Sequence, residues 1–240
     1  MARGAVDFVV IGAGAAGGVV AKELAQAGFR IVVLEQGPYL RERDFRHDEV
    51  WALPGHGLTN DPRLQPNTLR MSESETAVQT QAIRYGRAVG GGSIHFTGNY
   101  WRFREIDFME RSRTGGLQGT GLEDWPITYS ELEPYYTKAE WELGISGPAG
   151  VVHLLGTCRM GNDPRRSVVD RFHRTHDVPN LFLVDGSSLV TGGRGQPTCT
   201  IQALAFRAGH EIACLAREGA LGWSLIGLRA SAVKNESCLD

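Results

Sequence analysis

The sequence predicts an α/β fold, because its first 35 residues alternate between strand-like and helix-like segments. Residues 6–12, VDFVVIG, form a short β-branched run that ends in glycine, which is typical of a buried strand. Residues 15–27 carry apolar side chains at helical spacing, and residues 30–35, RIVVLE, predict a second buried strand. A strand–helix–strand unit of this length predicts parallel strands with a right-handed crossover, as in Rossmann-like domains.

A second helix is predicted over residues 129–142. Ser130 and Glu133 have the spacing of a capping box, which would mark the beginning of this helix. Residues 37–85 show weak periodicity and many turn-forming residues, so we expect loops with short helices there.

The last third of the chain predicts one more strand and one long helix. Residues 180–185, NLFLVD, form a short apolar run typical of a buried strand. Residues 197–217 place apolar side chains three and four positions apart, and Pro197 is tolerated at the first position of a helix. We expect residues 219–240, which show less pattern, to form a tail.

The composition is that of an ordinary globular protein with a hydrophobic core. The chain has 240 residues, of which 42% are hydrophobic and 22% charged. A formal net charge of −2 gives little attraction to nucleic acid or anionic lipid, so we expect no nucleic-acid partner. No apolar run is long enough to cross a bilayer, so we expect no direct membrane span.

Cysteine and histidine spacing gives no support for a metal site. The four cysteines form no C-x-x-C pair, which disfavours zinc and redox-pair interpretations. His173 and His176 are spaced H-x-x-H, but their charged neighbours and the following turn favour a surface loop over metal ligands. We expect reduced thiols and a cytoplasmic protein by default, with export alongside a partner subunit left open.

A glycine motif lies between the first predicted strand and helix, and it predicts a dinucleotide site. Gly12 would permit the tight turn, Gly14 would admit a pyrophosphate, and Gly17 would let helix and strand pack closely. Glu35 ends the next strand at the spacing expected for a carboxylate that binds a ribose 2′-hydroxyl, and it would repel a 2′-phosphate. The alternative is a glycine-rich turn without ligand. Predicted contacts at this turn are Gly12, Gly14, Ala15, Ala16 and Gly17.

This motif does not distinguish FAD from NAD, but four further segments do so by resemblance. They are GRAVGGGSIHFTG at 86–98, HLLGTCRMG at 153–161, LFLVDGS at 181–187 and QPTCTIQALAFRAG at 196–209. In this order they resemble the glucose–methanol–choline (GMC) family of FAD-dependent oxidoreductases, and the resemblance covers most of residues 6–218. The segments WRF, WPITYSELEPYY and HRTHDVPNLF resemble those of the branch of the family that contains gluconate and sorbose-type sugar dehydrogenases.

The resemblance implies bound FAD, with hydride transfer from a CH–OH group of a sugar or polyol to flavin N5. His153 matches the family's active-site histidine, which takes the alcohol proton, and an imidazole with an unperturbed pKa of about 6.5 suits that role. Gln196 stands where the family has asparagine or histidine, so its implied role is only to orient a substrate oxygen. Further implied FAD contacts are Gly91, Gly92, Ser93, Asp185, Gly186 and Pro197.

The chain departs from the family pattern at residue 150. Relatives of this kind carry a long section between GISGPAG and the histidine motif, whereas here Gly150 runs directly into Val151. The resemblance thus implies an N-terminal FAD-binding part (1–150), a C-terminal part with the histidine and the closing strand and helix (151–218), and a tail (219–240). The substrate domain would be a reduced remnant.

Three functional hypotheses follow from this shortening. The first is an FAD-dependent alcohol or sugar dehydrogenase or oxidase, with oxygen, a quinone or a cytochrome subunit as electron acceptor. The second is a non-catalytic remnant with weak or no FAD binding, because a missing pocket wall would admit water to the flavin. The third is an NAD-dependent dehydrogenase that uses only the βαβ unit.

Overall fold

The computed structural model describes residues 6–45, 66–72, 74–80, 86–94, 100–116, 119–144, 155–193 and 197–221. The helices within these ranges are α1 (Ala15–Gln26), α2 (Glu110–Thr114), α3 (Tyr129–Leu143) and α4 (Thr198–Arg217). The strands are β1 (Phe8–Ile11), β2 (Ile31–Leu34), β3 (Asn67–Leu69) and β4 (Val78–Thr80). Short 3₁₀ helices occupy Glu42–Asp44, Gly91–Ile94, Glu105–Phe108 and Gly186–Ser188.

The predicted βαβ unit is present. Strands β1 and β2 pair in parallel, with Phe8 opposite Ile31 and Ile11 opposite Leu34. Helix α1 connects them and ends before Gly28, whose φ of 92° provides the left-handed conformation that stops a helix. The α/β, Rossmann-like fold class is therefore confirmed. Strands β3 and β4 form an antiparallel pair that the sequence pattern did not predict.

Helix α4 is the central packing element, and its predicted extent is confirmed to within one residue. It contacts both α1 and α3. Gly209 permits the close approach to α1, because a β-carbon there would lie 2.9 Å from the Glu23 Cβ. Toward its N-terminus, Cys199 and Leu204 pack with Tyr136 and Phe103 in one core cluster. Further along α4, Phe206 and Ile212 join α1 side chains in a second cluster. One helix thus connects two parts of the core.

Helix α3 begins at the predicted residue, Tyr129, but its capping box lies two residues earlier than predicted. The capping box is formed by Thr128 and Glu131, since the Glu131 N–H donates to the Thr128 hydroxyl (3.3 Å) and the Thr128 N–H donates to the Glu131 carboxylate (2.9 Å). The prediction of Ser130 and Glu133 as the box is wrong. Glu133 instead accepts a hydrogen bond from the Arg102 guanidinium at 2.8 Å, a contact that is not visible in local sequence.

The two strands of the βαβ unit are less buried than the sequence predicted. The Val9 side chain is 54% exposed and Ile11 is 85% exposed. Among the residues that the structure describes, one face of the sheet packs on a helix: Gly17 of α1 lies against Val10, and a β-carbon on Gly17 would be 3.4 Å from Val10 Cγ1. The apolar sequences of β1 and β2 predicted that both faces of the sheet would be buried by other elements. The described residues bury one face.

The predicted strand over residues 180–185 is absent. These residues make one isolated bridge, between Arg174 and Phe182, through hydrogen bonds from the Leu183 N–H to the His173 carbonyl (3.0 Å) and from the Thr175 N–H to the Leu181 carbonyl (2.9 Å). A groove of about 300 Å³ lies between β1 and residues 180–185, and we call it the β1 groove. The run is apolar enough for a strand, but it does not reach the β1 edge.

His173 is fully buried, so the predicted surface loop is wrong at this residue. Its φ of 67° is left-handed, its Nδ1 lies 3.0 Å from the Leu183 carbonyl oxygen, and its Nε2 has no protein partner among the described residues. Burial lowers the pKa of His173 to about 4, opposed by the hydrogen bond to Leu183, while Arg207 lowers it further. The imidazole is therefore neutral in the folded protein.

Acid should destabilise the fold through His173. Between about pH 6.5 and pH 4 the unfolded chain binds a proton at this residue and the folded chain does not. The contribution of the neutral imidazole to the free energy of unfolding is therefore fully present above pH 6.5 and is lost as the pH falls toward 4. The expected loss in free energy of unfolding is about 3 kcal/mol, measured by urea titration at a series of pH values. His173→Asn, which tolerates the left-handed backbone, should reduce this pH dependence.

The matched control for this experiment is His176→Asn, at a partly buried imidazole that lies 3.0 Å from the Ser167 hydroxyl. That variant should keep the full acid-dependent loss. An equal pH dependence in the parent chain and in His173→Asn would contradict the assignment of this loss to His173.

Candidate functional site

The turn between β1 and α1 has the backbone geometry that the glycine motif predicted. Gly12 has a φ of 89°, which only glycine adopts without strain. A β-carbon on Gly17 would lie 1.9 Å from the Gly12 carbonyl oxygen, so helix and turn could not pack with a larger residue. Helix α1 begins after Gly14, and no side chain caps it. The amides of Ala15 and Ala16 thus begin a helix whose N-terminus suits an anion.

The Glu35 carboxylate is fixed beside this turn. One of its oxygens accepts a hydrogen bond from the Ala13 N–H at 2.8 Å, and the other accepts from the Gly37 N–H at 2.8 Å. Each oxygen has further acceptor capacity, which a hydroxyl of a ribose could use. Sequence reasoning missed Ala13 and Gly37 as anchors, because their backbone N–H groups give no signal in residue identity.

The second glycine loop packs directly on the first turn. The Gly90 N–H donates to the Ala13 carbonyl at 2.7 Å, and the Val89 N–H donates to the Pro38 carbonyl at 3.0 Å. A β-carbon on Gly91 would lie 2.9 Å from the Gly14 Cα, so the two backbones approach as only glycines allow. The structure therefore brings Gly91, Gly92 and Ser93, which occupy the 3₁₀ helix Gly91–Ile94, to the Gly12–Gly17 turn.

Asp185 lies in the wall of the β1 groove, together with Ile11 and Gly17. Its carboxylate accepts a hydrogen bond from the Ser187 N–H at 2.9 Å and caps the 3₁₀ helix Gly186–Ser188. This cap fixes the direction of the side chain. The predicted contact residue Asp185 and the glycine turn therefore border the same groove.

Gly186 marks a point where three segments meet. A β-carbon on Gly186 would lie 3.0 Å from Leu155 Cδ2 and 3.2 Å from Ile201 Cδ1. Leu155 belongs to the histidine motif, and Ile201 belongs to the first turn of α4, where its N–H donates to the Pro197 carbonyl at 2.6 Å. Pro197 itself is buried at the beginning of this helix.

His153 and Gln196, the predicted catalytic base and substrate-orienting residue, lie outside the described residues. Of the predicted cofactor contacts, the structure gathers two sets. Those around the first turn are Gly12, Gly14, Ala15, Ala16, Gly17, Glu35, Gly91, Gly92 and Ser93. Asp185 is linked to the first set through the β1 groove, whereas Gly186 and Pro197 gather at the beginning of α4.

A buried hydroxyl network supports the first turn of α4, and sequence reasoning did not find it. The Tyr136 and Thr200 hydroxyls are 2.7 Å apart, and the Phe103 N–H donates to the Tyr136 oxygen at 3.3 Å. Burial raises the pKa of Tyr136, despite the hydrogen bonds to Thr200 and Phe103, so its hydroxyl is neutral at physiological pH. Burial likewise raises the pKa of the Cys199 thiol to about 12, so this cysteine is a packed thiol and not a nucleophile.

No group of histidine, cysteine and carboxylate side chains is placed to hold a metal ion in the described ranges. No helix in the same ranges has the length and apolar character needed to cross a bilayer. Cys158 and Cys199 are free, whereas Cys214 is disulfide-bonded, so the expectation of reduced thiols is wrong for Cys214.

Both the N-terminal and the C-terminal part of the chain are similar to known protein families. The GMC oxidoreductase model matches residues 106–205, and an NAD(P)-binding Rossmann-like domain model matches residues 10–68. The 2-methyl-1,2-propanediol dehydrogenase of Mycolicibacterium austroafricanum is 59% identical over 71 residues, which are 30% of this chain and 13% of that protein.

Two sugar-related dehydrogenases match longer stretches. The gluconate 2-dehydrogenase flavoprotein of Pantoea cypripedii is 32% identical over 177 residues, covering 65% of this chain and 28% of its own length. The fructose dehydrogenase large subunit of Gluconobacter japonicus is 31% identical over 160 residues, covering 60% of this chain and 28% of its own length. This chain therefore spans less than a third of each of these relatives. Its motifs, its βαβ unit and these matches together show that it belongs to the GMC oxidoreductase family.

Proposed function

We propose that this chain is the cofactor-binding portion of an FAD-dependent oxidoreductase that acts on CH–OH groups of a sugar or polyol. The observation that carries the proposal is the direct contact between two glycine loops at the uncapped N-terminus of α1. The Gly90 N–H donates to the Ala13 carbonyl at 2.7 Å, and Gly91 packs on Gly14. Such a cradle of small residues and backbone amides suits a pyrophosphate.

The described residues fit this cofactor at three points. Gly14 faces Gly91, and a β-carbon added to Gly14 would lie 4.0 Å from the Gly91 Cα. Small residues therefore line both sides of the approach to the helix N-terminus. Glu35 is held by two backbone N–H groups and supplies the acceptor for a ribose hydroxyl. Ser93 and Asp185 are the polar residues that we assign to the remainder of the cofactor.

The chemistry at the substrate is assigned to the far end of the chain. When bound, FAD supplies the acceptor for the hydride that leaves the alcohol carbon. His153 takes the alcohol proton on an imidazole nitrogen, and Gln196 orients the substrate oxygen through its side-chain amide. Leu155 of the histidine motif and Pro197 lie on segments that meet near Gly186. Oxygen, a quinone or a cytochrome subunit completes the cycle as electron acceptor.

A second candidate is a non-catalytic remnant of such an enzyme. The exposed apolar side chains of Val9 and Ile11 favour it, because they leave one face of the sheet without cover in the described residues. A site that is open to water would not support hydride transfer. The two candidates differ in what they predict for flavin binding and for turnover, and they can therefore be tested separately.

Gly14→Ala should abolish or weaken flavin binding without unfolding the chain. An added β-carbon makes only an ordinary contact of 4.0 Å with the Gly91 Cα, so the protein itself has room for it. A pyrophosphate bound against the same backbone would collide with this β-carbon. We therefore expect FAD affinity to fall by about tenfold or more. The measurements are flavin absorbance after reconstitution and the thermal unfolding midpoint.

The matched control is Gly18→Ala, one turn along the same helix, where an added β-carbon meets no atom within 4 Å. This variant should bind FAD as the parent chain does. Equal FAD binding by Gly14→Ala would contradict the proposed cradle, and formation of NADH without flavin would favour a nicotinamide enzyme.

His153→Ala should lower the rate of flavin reduction by a sugar or polyol by about 10²–10⁴-fold, because a positioned general base contributes that range. Flavin content should stay unchanged, since FAD is held by other residues. Stopped-flow bleaching of the flavin absorbance measures the rate, with His176→Ala as the control. A parent chain that binds FAD but is never bleached by any alcohol in a panel of sugars and polyols would support the remnant.

A further inference from the structure

Residues 170–174 form a tight loop around the buried His173, and we call it the His173 loop. The Asp170 carboxylate accepts hydrogen bonds from the Phe172 N–H (2.8 Å) and the Arg174 N–H (3.0 Å). The His173 N–H donates to the Asp170 carbonyl at 3.0 Å, and the Asp170 N–H donates to the Arg174 carbonyl at 2.8 Å. These bonds hold His173 in its left-handed conformation, so its own loop fixes the direction of the side chain.

Helix α4 anchors the His173 loop to the interior. The guanidinium of Arg207, a buried residue of α4, donates to the Arg171 carbonyl, and its central carbon lies 4.5 Å from the centre of the Phe172 ring. Both partners of Arg207 directly precede His173 in sequence. Since α4 also packs on α1 at Gly209, the loop has a defined place relative to the helix of the βαβ unit.

His173 binds both backbone polar groups of Leu183. Its carbonyl accepts a hydrogen bond from the Leu183 N–H at 3.0 Å, and its Nδ1 lies 3.0 Å from the Leu183 carbonyl oxygen. A carbonyl oxygen can only accept, so Nδ1 carries the proton and the neutral ring is the Nδ1–H tautomer. A neighbouring antiparallel strand would use two backbone groups for this pairing, whereas here one of the two is a side chain. We call this pair of hydrogen bonds the His173 clamp.

The His173 clamp acts on the segment that carries a predicted cofactor contact. Leu183 and Asp185 both line the β1 groove, which is also bordered by Gly17 of the glycine turn. The turn after Asp185 in turn holds the histidine motif, since the Cys158 N–H donates to the Ser187 carbonyl at 2.8 Å. Residues 180–185 belong to no sheet in the described part of the chain, so their position depends on contacts of this kind.

We propose that His173 is a positioning residue, which as its Nδ1–H tautomer holds Leu183 and thereby sets Asp185 at the β1 groove beside the glycine turn. The consequence for cofactor binding rests on the proposed function, because it requires that Asp185 contacts FAD. The clamp itself does not depend on flavin, so it can be tested in the protein without cofactor.

Amide hydrogen exchange of Ser187, whose N–H donates to the Asp185 carboxylate, measures the effect of the clamp. His173→Gly accepts the left-handed backbone and removes the donor, so Ser187 should exchange at least about tenfold faster relative to the α4 amides of Ala205 and Ala208. His173→Asn tolerates the same backbone, and its side-chain N–H can replace Nδ1–H, so it should restore the parent ratio. Equal ratios in the parent chain and in His173→Gly would overturn the proposal.

Ile127→Ala is the matched control, because it also truncates a buried side chain of the core. It should lower the thermal unfolding midpoint and leave the Ser187 ratio unchanged. Nitrogen NMR of the His173 ring gives an independent readout at pH 7. The clamp requires a protonated Nδ1 and an unprotonated Nε2, and a protonated Nε2 would contradict it.

A double-mutant cycle tests the consequence for the cofactor. His173→Gly and Asp185→Ala should each lower FAD affinity by about tenfold, and the double variant should bind FAD no more weakly than Asp185→Ala alone. Multiplied losses of about a hundredfold would show that His173 does not act through Asp185 and would overturn its positioning role.

The same measurements separate this proposal from the proposed function. Full FAD affinity in His173→Gly, together with a loss in Gly14→Ala, would overturn the positioning role and leave the glycine cradle in place. A parent chain that binds no FAD would contradict the proposed function alone, and the exchange of Ser187 would still decide whether the clamp holds Asp185.

Discussion

The contact between two stretches of glycine backbone is the constraint on which the candidate site depends. The Gly12–Gly17 turn and the loop at residues 86–94 touch without intervening side chains, through the Gly90–Ala13 hydrogen bond and the Gly91–Gly14 approach. A β-carbon at Gly91 would force these backbones apart, and one at Gly17 would lie 1.9 Å from the Gly12 carbonyl oxygen within the turn itself. The same closeness that holds the loops together leaves small residues on both sides of a helix N-terminus, so packing and anion binding have one structural cause.

Helix α4 connects this region to the part of the chain that carries the proposed chemistry. It packs on α1 near Gly209, and its first turn rests on the buried Tyr136–Thr200 hydroxyl pair. Gly209, Tyr136 and Thr200 are buried, so helix α4 fixes the position of Pro197 relative to α1. A shift of α4 along α1 would have to break the close approach of Gly209 to Glu23 and the buried pair together.

The sequence predicted local elements well and non-local ones poorly. Helices α1 and α4 and strands β1 and β2 are encoded by their own periodicity, and the glycine turn is encoded by its own residues. The strand over 180–185 was not found, since a strand also needs an edge to pair with, and β1 lies across a groove. The burial of His173, the anchors of Glu35 and the Thr128 cap likewise depend on atoms whose pairing no local pattern specifies.

Cofactor binding and catalysis make different demands on such a chain. The cradle is assembled from one βαβ unit and one loop through backbone contacts, so its geometry is nearly complete within residues 8–37 and 86–94. Hydride transfer also needs walls that exclude water, and those walls come from parts of a fold that are distant in sequence. A GMC chain that spans less than a third of its relatives can therefore retain the first property independently of the second. Flavin affinity therefore tests the cradle, whereas turnover also tests whether the site excludes water.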